Sequence, residues 1–236
     1  MKITIYLALL LYAQISFSQS ESSLQLARKQ YQEENYGEVL KLLEKAALEE
    51  PQNAQVPYLA GRVYVDMSNY KKAVTFMEKA IAMDSTKSNW LYECALVYYA
   101  VPDYKRSLQY MLLAGEKGYK KTNDYLENLG NAYINAGQFD KGAEILNEVL
   151  KKKPEDPELL YQVAQAYYKA GKYQEAIALW DRVLEQDKSN AEALYMIGLS
   201  YQKKGEKQKG QQICDRAIQM DPSLRTKREQ IGGGGL

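Results

Sequence analysis

The feature that most constrains this chain is an internal repeat with a period of about 34 residues. Six similar segments follow one another at spacings of 34, 34, 35, 34 and 34 residues, and they begin at Ser20, Ala54, Ser88, Asn123, Pro157 and Ala191. Such a period is typical of arrays in which each unit buries its apolar surface against its neighbours. The predicted repeats are therefore residues 20–53, 54–87, 88–122, 123–156, 157–190 and 191–224.

Small residues recur at two positions of the repeat and predict two closely crossing helices in each. The eighth residues are Ala27, Gly61, Ala95, Gly130, Ala164 and Gly198. The twentieth are Val39, Ala73, Ser107, Gly142, Ala176 and Gly210. Larger apolar residues between them repeat at the helical period, and side chains larger than alanine at the two rows would push a helix pair apart. Glycines 137, 171 and 205 are placed to end first helices.

These rows resemble the tetratricopeptide repeat family, which also has tyrosine at position eleven, an aromatic residue at seventeen and proline at thirty-two. The match runs from about Ser20 to Leu224. The resemblance implies an all-α, right-handed superhelical solenoid of antiparallel helix pairs. The third repeat departs most from the pattern, and we expect its second helix to end near Ala114 and a longer connection to span residues 115–122.

The two ends of the chain predict segments outside the repeats. Residues 1–18 read as a signal peptide, with Lys2, an apolar stretch to about Ile15, and serines flanking Phe17. We therefore expect a periplasmic or secreted protein that begins at Gln19 and does not insert in the membrane after cleavage, with an uncleaved anchor as the alternative. Residues 222–231 predict a capping helix that overlaps the last repeat, and residues 232–236 a flexible glycine-rich tail.

Charge and residue content argue against nucleic-acid binding and catalysis. Lys and Arg total 31 against 30 Asp and Glu, so there is no basic excess to attract nucleic acid. The chain has no histidine, the commonest general base and metal ligand. Cys94 and Cys214 occupy core positions three repeats apart, too far to pair within one extended array. We expect a protein that is not an enzyme and needs no cofactor or metal, and we expect Trp90 and Trp180 to serve packing.

The resemblance implies that first helices line a concave groove at positions two, five, nine, twelve and thirteen. Tyrosine offers contact area with a polar tip, and asparagine and glutamine both donate and accept hydrogen bonds. The predicted centre of a partner-binding groove is Tyr92, Tyr99, Asn131, Asn135, Tyr161, Gln165 and Tyr168. Repeat ancestry alone also explains these residue types, and the convex face and the tail stay open as working surfaces.

The predicted function is that of a protein-binding adaptor or scaffold in the bacterial cell envelope, which holds a partner peptide or protein in this groove. One alternative is a structural subunit permanently docked in a larger envelope or secretion complex. The other is a carbohydrate-binding protein, or an enzyme, that uses the tyrosine-rich groove.

Overall fold

The computed structural model of the chain describes residues 21–225, which form twelve α-helices and no strand. Within each compact unit, consecutive helices pack on one another, which confirms the predicted all-α fold of helix pairs. The helices are α1 Ser23–Gln32, α2 Tyr36–Glu49, α3 Gln55–Asp66, α4 Tyr70–Met83, α5 Ser88–Ala100, α6 Tyr104–Glu116, α7 Asn123–Asn135, α8 Phe139–Leu150, α9 Pro157–Lys169, α10 Tyr173–Gln186, α11 Ala191–Lys203 and α12 Lys207–Met220.

Several helices begin at a polar side chain that caps them. The Ser22 hydroxyl accepts from the Gln25 N–H, and the Gln25 side chain accepts from the Ser22 N–H, so α1 starts with a capping box. Asp156 caps α9 by accepting from the Leu159 N–H at 3.0 Å, with Pro157 at the first helical position. The turn after α9 is made at Gly171, whose φ of +79° is open to glycine at no steric cost.

The two small rows bring paired helices into backbone contact. A Cβ added to Gly210 on α12 would lie 2.5 Å from the Gly198 carbonyl oxygen on α11. A Cβ added to Gly130 on α7 would lie 2.6 Å from Leu146 Cγ on α8. The predicted close crossing of the two helices therefore depends on glycine at these positions, because glycine has no Cβ.

Internal contacts divide the chain into two units at Val101, so the described helices fall into α1–α5 and α6–α12. In the first unit, Trp90 is buried and stacks on Tyr58 with ring centroids 4.4 Å apart. In the second unit, Trp180 is fully buried. Both tryptophans therefore serve packing, as predicted.

The second helix of the third repeat is longer than expected. It ends at Glu116 and not near Ala114, so the prediction was wrong by two residues. Gly115 stays helical because Tyr125 of α7 packs against it and donates its hydroxyl hydrogen to the Met111 carbonyl at 3.0 Å. The following connection is correspondingly shorter, residues 117–122.

The predictions for the chain ends fall mostly outside the described residues. The signal peptide (1–18) and the glycine-rich tail (232–236) lie wholly beyond them, and only residues 222–225 of the predicted capping helix are described. Leu224 is buried against α11 and α12, beside Tyr195 and Ile218. Within residues 21–225 no helix is both long and apolar enough to cross a membrane.

Candidate functional site

The first helices of the repeats carry the predicted groove positions, and we refer to their surface as the first-helix face. In the first unit it belongs to α1, α3 and α5, and in the second unit to α7, α9 and α11. Tyr92 and Tyr99 lie on α5. The other predicted groove residues lie on α7 (Asn131, Asn135) and α9 (Tyr161, Gln165, Tyr168).

In the first unit, polar side chains link the three first helices. The Tyr58 hydroxyl on α3 lies 2.9 and 2.8 Å from the two carboxylate oxygens of Glu93 on α5. On the other side of α3, the Tyr31 hydroxyl of α1 donates to the Asp66 carboxylate. These bonds join neighbouring repeats, and three of the four side chains, all except Glu93, stand at groove positions.

Burial and these acceptors shift the pKa values of the network. Burial, with the hydrogen bond to Asp66 second, raises the pKa of Tyr31 to about 12. Burial lowers the pKa of Arg62. The charge interactions with Tyr31, Tyr58 and the nearby carboxylates raise that pKa by more, so the net shift is upward. The Arg62 guanidinium lies 5.3 Å from the centre of the Tyr31 ring. Arg62 therefore stays charged between acidic neighbours.

A cavity of about 270 Å³ opens beside this network. Arg62, Asp66 and Glu93 form its polar part, and its apolar part includes Val65 and Leu96, the latter 37% exposed. Tyr92 and Tyr99 do not line it, although Tyr99 is exposed. The predicted centre missed all three charged residues. Arg62 and Asp66 occupy groove positions nine and thirteen, and that placement could have identified them.

In the second unit, a polar cleft of about 320 Å³ lies between α7 and α9. Its lining includes four carboxylates and three amides, and the residues concerned are Asp124, Glu127, Asp156, Glu158, Asn128, Asn131 and Gln162. Lys153 pairs with Glu127 at 2.9 Å. The cleft therefore presents hydrogen-bonding groups and an excess of negative charge.

The structure assigns different environments to the predicted residues of this unit. Asn131 lines the cleft, and Asn135 donates its side-chain N–H to the Asn131 backbone carbonyl at 2.9 Å. Tyr161 is held between helices, and burial together with Glu192 of α11 raises its pKa. Tyr168 packs on Trp180 and Tyr173, with ring centroids 5.9 and 5.6 Å away.

Two predicted residues keep unused hydrogen-bonding groups. The side-chain amides of Asn131 and Gln165 are half-buried, and neither has a hydrogen-bond partner within residues 21–225. Both stand at position nine of their repeats, on the adjacent helices α7 and α9. They form the part of the predicted centre that is available to a partner.

The described residues offer little reactive chemistry. Cys94 and Cys214 are both free and buried, and burial raises the pKa of the Cys94 thiol to about 12, well above the range of a reactive thiolate. Within residues 21–225 no group of three or more His, Cys, Asp or Glu side chains is arranged to hold a metal ion. The arrangement can bind through hydrogen bonds, charge and aromatic surface.

Family models match most of the repeat region. The model "TPR repeat" matches residues 164–205, and two models of "Tetratricopeptide repeat" match residues 127–178 and 191–224. The chain is a tetratricopeptide repeat (TPR) protein. A fourth model, "Anaphase-promoting complex, cyclosome, subunit 3", matches residues 2–80.

Several solved structures share the fold of this protein. YrrB, a TPR protein with an unusual peptide-binding site, is 24% identical, with a TM-score of 0.61 and coverage of 79% of this chain and 97% of its own. MamA is 18% identical, with a TM-score of 0.59 and coverage of 72% and 92%. PilF of Pseudomonas aeruginosa is 21% identical, with a TM-score of 0.51 and coverage of 89% and 96%. No curated protein matches the sequence.

Proposed function

We propose that this TPR protein is a non-enzymatic adaptor of the bacterial cell envelope that binds an extended segment of a partner protein on its first-helix face. The TPR fold itself is typical of protein-interaction adaptors. The observation that carries the finer proposal is the pair of available amides, Asn131 and Gln165, beside the polar cleft between α7 and α9.

An amide side chain suits recognition of an extended peptide. Its oxygen accepts from a backbone N–H and its nitrogen donates to a backbone carbonyl, so contacts form whatever the sequence of the segment. The carboxylates of Asp124 and Glu158 in the cleft then favour a segment that also carries Lys or Arg. YrrB supports the proposal in one respect, since the same fold there has a peptide-binding site.

The paired substitution Asn131→Ala with Gln165→Ala tests the binding face. Each lost hydrogen bond weakens binding by about 1 kcal/mol, so recovery of partners from an envelope extract should fall by about tenfold or more. Quantitative mass spectrometry after affinity capture measures the loss, and circular dichroism verifies the helical content.

The matched control is Gln109→Ala with Gln212→Ala. It removes two exposed amides from α6 and α12 of the same unit, away from the first helices. We expect this variant to capture the same partners as the parent. If both double variants recover equal amounts of the same partners, the first-helix face of the second unit is not the binding surface.

The proposed placement in the envelope rests on the signal peptide predicted for residues 1–18 and has its own test. N-terminal sequencing of protein from the periplasmic or secreted fraction should begin at Gln19. Protein that retains Met1 in the membrane fraction would contradict both cleavage and envelope release.

A further inference from the structure

The gap between the first two repeats holds a second cavity, and none of the groove positions of these repeats lines it. Its volume is about 340 Å³, and it lies among α2, α3 and α4. Leu43, Val56, Phe76 and Met83 contribute to an apolar lining. Glu44, Glu50 and Lys79 supply the charges around it.

The small residue at position 28 of repeat 1 leaves room for the cavity. Ala47 stands there and lines it. Repeat 3 has Gly115 at this position, whereas the other four repeats have the branched aliphatic residues Ile81, Leu150, Leu184 and Ile218. In the second unit, Leu150 of α8 is only 2% exposed. Repeat 4 thus buries a leucine side chain at the position where repeat 1 has only the methyl group of Ala47.

Two further positions keep the cavity open in the first unit. In the gap between repeats 4 and 5, Arg182 donates to the Pro154 carbonyl and Gln186 donates to the Glu155 carbonyl, the latter at 3.1 Å. These side chains at positions 26 and 30 tie α10 to the connecting loop. Their counterparts in repeat 2 are Lys79 and Met83, which line the cavity.

An exposed leucine extends the apolar surface. Leu48 is 85% exposed, the most exposed of the large hydrophobic residues among those described. It follows Glu44 by four residues on α2, which places both on one face of the helix beside the cavity. Leu48 does not itself line the cavity, but an apolar cavity with an exposed leucine on one of its helices is a surface that a partner can cover.

We propose that this cavity and Leu48 together form a docking site for an amphipathic helix of a partner protein. Aliphatic side chains of that helix enter the cavity and contact Leu48, and Lys or Arg residues at its edge face the carboxylates of Glu44 and Glu50. Two carboxylates against the single amine of Lys79 give the rim a negative excess. Asn53 holds the Glu50 carboxylate by a hydrogen bond of 2.6 Å.

The probe is a labelled synthetic helical peptide with leucines at positions i, i+4 and i+7 and lysines beside them. Fluorescence anisotropy measures its affinity, and the comparison peptide has glutamate in place of every lysine. We expect the lysine peptide to bind the parent protein at least about tenfold more tightly. The variant Glu44→Lys should reduce that preference.

The variant Ala47→Leu closes the cavity with the side chain that repeat 4 uses. We expect it to weaken binding of the lysine peptide by about tenfold or more, with a thermal midpoint equal to or above that of the parent. The matched control, Ala82→Leu, makes the same change at an exposed position of α4 that does not line the cavity, and should bind like the parent.

Three results would overturn the docking site: equal affinity for the two peptides, unchanged binding by Ala47→Leu, or self-association of the parent that Leu48→Lys abolishes. The last would identify a second copy of the chain as the occupant. The variant with both Asn131→Ala and Gln165→Ala should bind the lysine peptide normally. Failure of this site and failure of the first-helix face are therefore distinguishable.

Discussion

At the scale of single residues, a tyrosine and a lysine eight positions apart recur in several repeats. Lys72, Lys141 and Lys209 lie over the rings of Tyr64, Tyr133 and Tyr201, with distances to the ring centroid of 5.1, 5.8 and 3.7 Å. In each contact the ring face attracts the lysine ammonium group electrostatically. The lysine comes from the second helix of the repeat, so the contact clamps the two helices of a pair.

Tyr31 makes stability sensitive to alkaline pH. Folding raises its pKa from 10.0 to about 12, so the folded state retains the phenol proton more tightly than the unfolded state. The resulting stabilisation is complete below pH 10.0 and is lost as the pH rises through about 12. Because Tyr31→Phe has no such proton, the difference in free energy of unfolding between parent and variant should shrink over that range.

Urea unfolding followed by circular dichroism at several pH values measures this difference. A difference that stays constant from pH 9 to pH 12 would show that the Tyr31 hydroxyl does not report on folding. The parent and the variant share every other titrating group, so their common alkaline destabilisation cancels.

At the scale of helices, we expect replacement by alanine to have opposite effects on stability at two glycines that both lie in second helices, Gly210 and Gly37. A Cβ at Gly210 would come within 2.5 Å of the Gly198 carbonyl oxygen and 2.7 Å of the Gln202 backbone nitrogen, and backbone cannot move aside cheaply. Gly210→Ala should therefore lower the free energy of unfolding by about 1–3 kcal/mol. Chemical denaturation provides the measurement.

Gly37 is the control for this substitution. It also lies in a second helix, α2, but a Cβ there would meet nothing within 4 Å. Gly37→Ala should stabilise the protein by about 0.5–1 kcal/mol, because alanine loses less backbone freedom on folding. Equal effects of the two substitutions would contradict close packing at Gly210.

The sequence predicted the helix pairs well, because each repeat restates the same spacing of small and large residues. It failed where a single distant contact decides the outcome, as Tyr125 does for the end of α6. The candidate site was predicted only in part for the same reason. Tyr161 and Tyr168 stand at groove positions, but contacts to Glu192 and Trp180 on later helices occupy them. The spacing of a repeat does not reveal those contacts.

At the scale of the whole molecule, the reactivity of Cys94 and Cys214 provides a test of the predicted repeat array. Both are free and buried. We expect a thiol reagent to react slowly with the folded protein and to find two thiols per chain after unfolding without reductant. Finding none in a chain that runs as a monomer on a non-reducing gel would show a disulfide between Cys94 and Cys214, which would contradict the extended array predicted from the sequence.

The glycine pair between α11 and α12 also bears on the order in which the chain folds as it is delivered N-terminus first. Glycine inside a helix costs about 1 kcal/mol relative to alanine, and isolated helices of this length are marginal. Gly198 and Gly210 therefore leave each helix dependent on the other. The final pair closes only after Met220 has emerged, so during synthesis the C-terminal repeat is the last to gain protection from proteases.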